Sequence, residues 1–105
     1  MIRKVWTASA VLVLVLAAAA ALAHTPLCSC WENGDGTVSC EGGFSDGSSA
    51  AGAAVRVVDE NGKVLEEGSM DERGMFTFEK PEGPYKVILD AGPGHKVEVD
   101  GEDIF

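Results

Sequence analysis

The chain has 105 residues, 17 of them acidic and 8 basic, for a formal net charge of −9, and 46% are hydrophobic. A surface of that sign repels phosphate backbones and anionic headgroups, which removes nucleic acid and membrane surfaces as expected partners and leaves cations. The length allows one domain with a modest core.

The first residues read as an export signal. Arg3 and Lys4 precede an unbroken apolar run that ends in Ala21-Leu22-Ala23, the small-x-small pattern that signal peptidase accepts. Residues 1–23 are therefore expected to be removed as a signal peptide, which places the product in the periplasm or outside the cell. The alternative is a single-span membrane anchor, because about 20 apolar residues suffice to cross a bilayer. No lipid anchor is expected, since Cys28 follows Thr25-Pro26-Leu27 rather than a small residue. Cleavage would leave 82 residues beginning at His24, with six basic side chains against 17 acidic ones and a net charge of −11.

Residues 24–36 form a cysteine-containing segment that reads as a loop or a hairpin entry, closing on Asn33-Gly34-Asp35-Gly36. That tetrad lacks the acidic ligands of a calcium loop and is read as a turn. Residues 37–105 repeat one pattern, in which runs of about four to seven residues of β-branched or aromatic character are followed by a Gly/Pro/Asp/Asn cluster. Six strands are predicted, at 37–44, 53–58, 63–67, 75–79, 85–90 and 96–99. Asn61-Gly62 marks a tight hairpin between the second and third of these. Alternation points Val55, Val57, Phe76, Phe78, Tyr85, Val87, Leu89, Val97 and Val99 inward, and Arg56, Thr77, Lys86 and Asp90 outward. Residues 45–52, low in bulk, are expected to make a mobile crossing between sheets, and residues 104–105 a frayed or docked tail. The fold class is all-β, a small Greek-key β-sandwich after an N-terminal signal peptide.

The stretches Gly52-Ala53-Ala54-Val55-Arg56-Val57-Val58-Asp59, Gly62-Lys63-Val64-Leu65, Asp71-Glu72-Arg73-Gly74-Met75-Phe76-Thr77-Phe78 and Gly83-Pro84-Tyr85-Lys86-Val87 resemble the carboxypeptidase regulatory-like, or transthyretin-like (prealbumin-like), β-sandwich domain. That resemblance implies a binding appendage and no catalysis. A narrower likeness joins His24 to Asp90-Ala91-Gly92-Pro93-Gly94-His95. It is similar to the small exported accessory proteins of cobalt and nickel uptake systems, which implies handling of a metal ion ahead of a membrane transport component.

The residues themselves supply a coordination argument. A processed His24 offers one ion its α-amine and its imidazole, while Pro26 has no amide N–H to serve as a further ligand. Other ligands must then come from side chains, and His95 and the thiols of Cys28, Cys30 and Cys40 are the candidates for nickel, cobalt or copper. Cys28 and Cys30, at i and i+2 of an extended chain, face one side. They suit either a metal site or a disulfide from Cys40 to one of them, a link worth about 3 kcal/mol. His95 equally suits an exposed loop position. Trp31 is a core plug or a lid on the site.

Adjacent acids at Glu66-Glu67, Asp71-Glu72 and Glu102-Asp103 form no positioned acid–base pair, so no enzyme is expected. The reading is an exported cell-envelope binding module for a transition-metal ion that it passes to a membrane transport component. The alternative is a disulfide-stapled structural or protein-interaction domain without metal.

Overall fold

A computed structural model describes residues 25–105. The expected signal peptide and His24 lie outside them. The described chain is all-β, built from β1 (Pro26–Glu32), β2 (Thr37–Phe44), β3 (Ala54–Asp59), β4 (Val64–Ser69), β5 (Met75–Glu79), β6 (Tyr85–Asp90) and β7 (Lys96–Asp100), with a 3-10 turn at Gly101–Asp103. One sheet has the order β1-β2-β5, the other β4-β3-β6-β7, and every pairing is antiparallel. The chain changes sheet after β2, β4 and β5, which sets β5 beside β2 and β6 beside β3 in the interlocked connections of a Greek key.

The core follows from the period-2 pattern. On β3 and β6 the register places Val55 opposite Leu89 and Val57 opposite Val87. All four are buried, and Val97 and Val99 extend the same face on β7. The facing sheet contributes Val38 and Cys40 from β2 and Phe78 from β5. Phe78 meets Tyr85 edge-on across the sandwich, with ring centroids 6.0 Å apart. Gly68 on β4 makes room for the Phe76 ring, since a Cβ there would lie 2.7 Å from it.

Three expectations need correction. Residues 26–32, read as a loop or a hairpin entry, are the first strand of a hairpin, β1, so the described residues hold seven strands rather than six. The side chains of β1 that point outward include its large apolar ones, Leu27 and Trp31, while Pro26, Cys28, Cys30 and Glu32 turn inward. Its hydrophobic alternation therefore reads backwards, and Pro26 is tolerated as the first residue of an edge strand. Secondly, β3 and β4 each begin one residue later than predicted, at Ala54 and Val64. The third concerns residues 45–52, which do cross between the sheets but are laced in place: Ala50 N–H donates to Gly42 O at 3.1 Å, Gly52 N–H to Met70 O at 2.9 Å, and Ala50 is buried. Asp90 does lie on the outer face of β6, where it is half-buried against Arg56 and Lys96. The tail divides: Ile104 docks in the core and Phe105 is 90% exposed. Among the described residues no helix is long and apolar enough to cross a membrane.

Candidate functional site

The β1–β2 hairpin turns on Gly34 and Gly36, both in the left-handed region with φ of 83° and 91°. Asp35 Oδ1 accepts from the Thr37 amide at 3.0 Å, which fixes where β2 starts. From that start the register sets Cys30 directly opposite Cys40, with Cα atoms 4.0 Å apart, and the two are joined by a disulfide. Cys28, two residues earlier on the same inward face, lies opposite Gly42 and keeps its thiol. Its Sγ is 3.9 Å from that of Cys30, and all three sulfurs lie within 4.8 Å of one another. Cys40 is fully buried, whereas Cys28 and Cys30 are half-buried.

A thiol this close to a disulfide is placed for exchange, but only its thiolate attacks. Burial pushes the Cys28 thiol from its usual 9.0 up to about 11, so at neutral pH it stays protonated and Cys30–Cys40 is held against reshuffling. At pH 8, alkylation of Cys28 by iodoacetamide is expected to run roughly 100-fold slower than for an unhindered thiol, and to accelerate until the pH reaches about 11. The sign for stability follows from the same linkage. The folded state holds the proton more tightly, so this contribution is complete below pH 9 and is lost as pH rises to about 11. A rate that levels off near pH 9 in the folded protein would refute the burial argument.

His95 closes the β6–β7 turn. Its amide donates to Gly92 O at 2.9 Å, and its carbonyl accepts from the Ala91 amide at 2.9 Å. The ring Nδ1 lies 3.0 Å from Pro93 O. A carbonyl can only accept, so Nδ1 is the donor in this contact, and in the neutral tautomer that has this arrangement the lone pair is on Nε2, the form in which a histidine ligates a metal. Asp90 in the same segment is not a ligand candidate. Its Oδ1 accepts from the Gly92 amide at 3.0 Å, and its Oδ2 faces Arg56 at 3.5 Å and Lys96 at 3.8 Å. The Gly92 amide first, then the two cations, hold its carboxyl below the usual range.

The cysteines are thus brought together, and His95 is not part of their group. His24 lies outside the described residues. Thr25, beside it in sequence, is held against Ser45, whose amide donates to Thr25 O at 2.9 Å. Phe44, at that end of β2, shares a hollow with Asp90 and Ala91, so the start of β1 and the His95 turn belong to one end of the sandwich. Thr25 and Cys28 are separated by about 10 Å of extended chain. Trp31 is not a lid on the sulfurs, because it points out from the opposite face of β1.

One feature had no sequence signal. An open groove of about 610 Å³ runs beside Cys28, between Leu27, Gly42, Phe44, Arg73 and Val97. Its walls come from β1, β2, β7 and the turn before β5, and only the fold assembles them.

These elements define a disulfide-stapled, two-sheet antiparallel β-sandwich. A crystal structure of native α2-macroglobulin from Escherichia coli, spanning its domains NIE-MG1, superposes with a TM-score of 0.67 over 75% of this chain at 15% sequence identity. The chain spans 38% of the length of that structure, and the likeness shows the β-sandwich fold. No protein-family model matches the chain, and no curated protein matches it.

Proposed function

We propose that the chain is an exported binding module of the cell envelope, of the carboxypeptidase regulatory-like or transthyretin-like kind, which recognises a partner and catalyses nothing. The observation that carries this reading is the Cys30–Cys40 disulfide, a bond that persists in oxidising compartments outside the cytoplasm. Supporting it, the stretches that carry the resemblance fall on β3, β4, β5 and β6 and their turns. Intact-mass analysis of protein recovered from cells tests it. The expected species begins at His24, is about two daltons below the fully reduced mass, and takes up one alkylating group once unfolded. A chain with its leader attached and three alkylatable thiols would overturn it.

A specific observation favours a ligand for this module. The β6–β7 turn that carries His95 lies at the end of the sandwich where β1 begins, and the ring's Nδ1 is taken up by the Pro93 carbonyl. We infer that a processed His24, through its amine and imidazole, and His95 take a nickel, cobalt or copper(II) ion, which the module passes to a membrane transport component, as in the cobalt and nickel uptake accessories that the sequence resembles. Calorimetric titration of the processed protein, beside a form with one extra residue before His24 and beside His95→Ala, is the test. Both changes are expected to weaken binding about 10-fold or more, since each removes a ligand from the set. Equal affinities would remove the terminal chelate.

A further inference from the structure

We propose that reduction of the Cys30–Cys40 disulfide converts the inner face of the β1–β2 hairpin into a three-thiol site for copper(I). This site is separate from the terminal chelate and goes beyond it, because its ligands are sulfurs on the sandwich interior.

The geometry is already close to what such an ion requires. Three thiolates around one ion, with metal–sulfur bonds of about 2.3 Å, stand about 4 Å apart. The Cys28 and Cys30 sulfurs are 3.9 Å apart, and the Cys40 sulfur lies within 4.8 Å of both. All three sit on two strands of one hairpin whose pairing does not depend on the bond alone, because the β1–β2 register runs from Pro26–Phe44 to Glu32–Val38. Cleaving the bond therefore needs only side-chain rotation to open the Cys30–Cys40 pair to the spacing that Cys28 and Cys30 already have.

Access is provided by the groove beside Cys28. The chemistry of the donors selects the ion: an all-sulfur set suits soft copper(I), which three ligands satisfy, whereas structural zinc takes four. His95 is not in the group to supply the fourth.

The redox step balances with a dithiol reductant. Its first sulfur attacks one sulfur of Cys30–Cys40, breaking that bond and forming a mixed disulfide. That attack releases the other cysteine as a thiol; the reductant's second sulfur then closes its own disulfide and releases the remaining protein thiol. Two electrons pass from the reductant to the protein, and each protein sulfur that afterwards binds copper(I) gives its proton to water.

The test compares processed protein as isolated with the same protein reduced by a phosphine and desalted without oxygen. Copper(I) is supplied from bicinchoninate, whose colour reports how much the protein removes. The reduced form is expected to take the ion at least ~100-fold more tightly than the oxidised form, with a thiolate-to-copper charge-transfer band. Cys28→Ser, which leaves the disulfide free to form, is expected to weaken the reduced form ~10-fold or more while leaving the oxidised form unchanged. An extra residue before His24 is expected to change nothing.

Equal affinities in the two redox states, or a Cys28→Ser protein that binds as tightly as the unaltered one, would overturn the site. So would loss of binding on N-terminal extension, which would assign the ion to the terminal chelate. Circular dichroism accompanies each titration. If reduction unfolds the chain, copper(I) must restore the β-sheet signal, and failure to restore it also overturns the proposal.

Discussion

Replacing Cys30 and Cys40 together by alanine is expected to lower stability by about 3 kcal/mol, the loop-closure entropy of a link across ten residues. The loss acts mainly through the unfolded chain, which regains the freedom of the hairpin. Urea unfolding should therefore show a lower midpoint and a somewhat steeper slope, because the unlinked chain exposes more surface. For a domain of this size the melting temperature should fall by roughly 10–20 °C. Cys40 adds a packing loss, as its side chain is fully buried among the core residues. Cys28→Ser is the control, since it leaves the Cys30–Cys40 link in place. A double variant within about 1 kcal/mol of the parent would show that the hairpin is held by its pairing and turn without help from the bond.

The second large effect concerns the core. Leu89 is fully buried on β6, opposite Val55 and Val97 on its two neighbours, and is the largest of the fully buried side chains among the described residues. Truncation to alanine is expected to cost 2–5 kcal/mol, roughly 2 for the lost transfer and the rest for the cavity that a β-sandwich cannot close. Against a total of about 5–15 kcal/mol, a loss at the upper end of the expected span brings a marginally stable domain close to its unfolding midpoint. Ile88, the adjacent residue on the outer face of the same strand, is only half-buried, and Ile88→Ala should cost less than half as much. Thermal or urea unfolding of the pair tests the face assignment directly. Equal losses would mean that the inward and outward sides of β6 have been exchanged.

The body of the sandwich was legible because its strands obey the simplest rule available. Thr37–Phe44, Met75–Glu79 and Tyr85–Asp90 carry inward apolar residues at every second position between turn residues, and they form with the expected bounds. Strand β1 was not legible, because Leu27 and Trp31 point outward while two cysteines and a glutamate occupy the inward positions. Its register is set by the turn and by sulfur chemistry, which periodicity does not weigh.

The pairing of Cys40 had two readings for a related reason. Cys28 and Cys30 share a face, and a hairpin slipped by two residues would set Cys28 opposite Cys40 instead. The choice rests on Asp35 capping the Thr37 amide and on two glycines that take up positive φ, and these fix the length of the turn. The end of the sandwich that carries His95 was legible only as residue types. That the start of β1 and the His95 turn lie at one end depends on β1 being a strand, and the placing of Nδ1 depends on the Pro93 carbonyl two residues earlier.

The inverted alternation of β1 bears on how the chain matures. Displace that hairpin by a single position, and Cys30 faces away from Cys40, so no oxidant can couple them. The Cys30–Cys40 bond is therefore a covalent record of the strand alignment, formed where both sulfurs lie on the inner face of the hairpin.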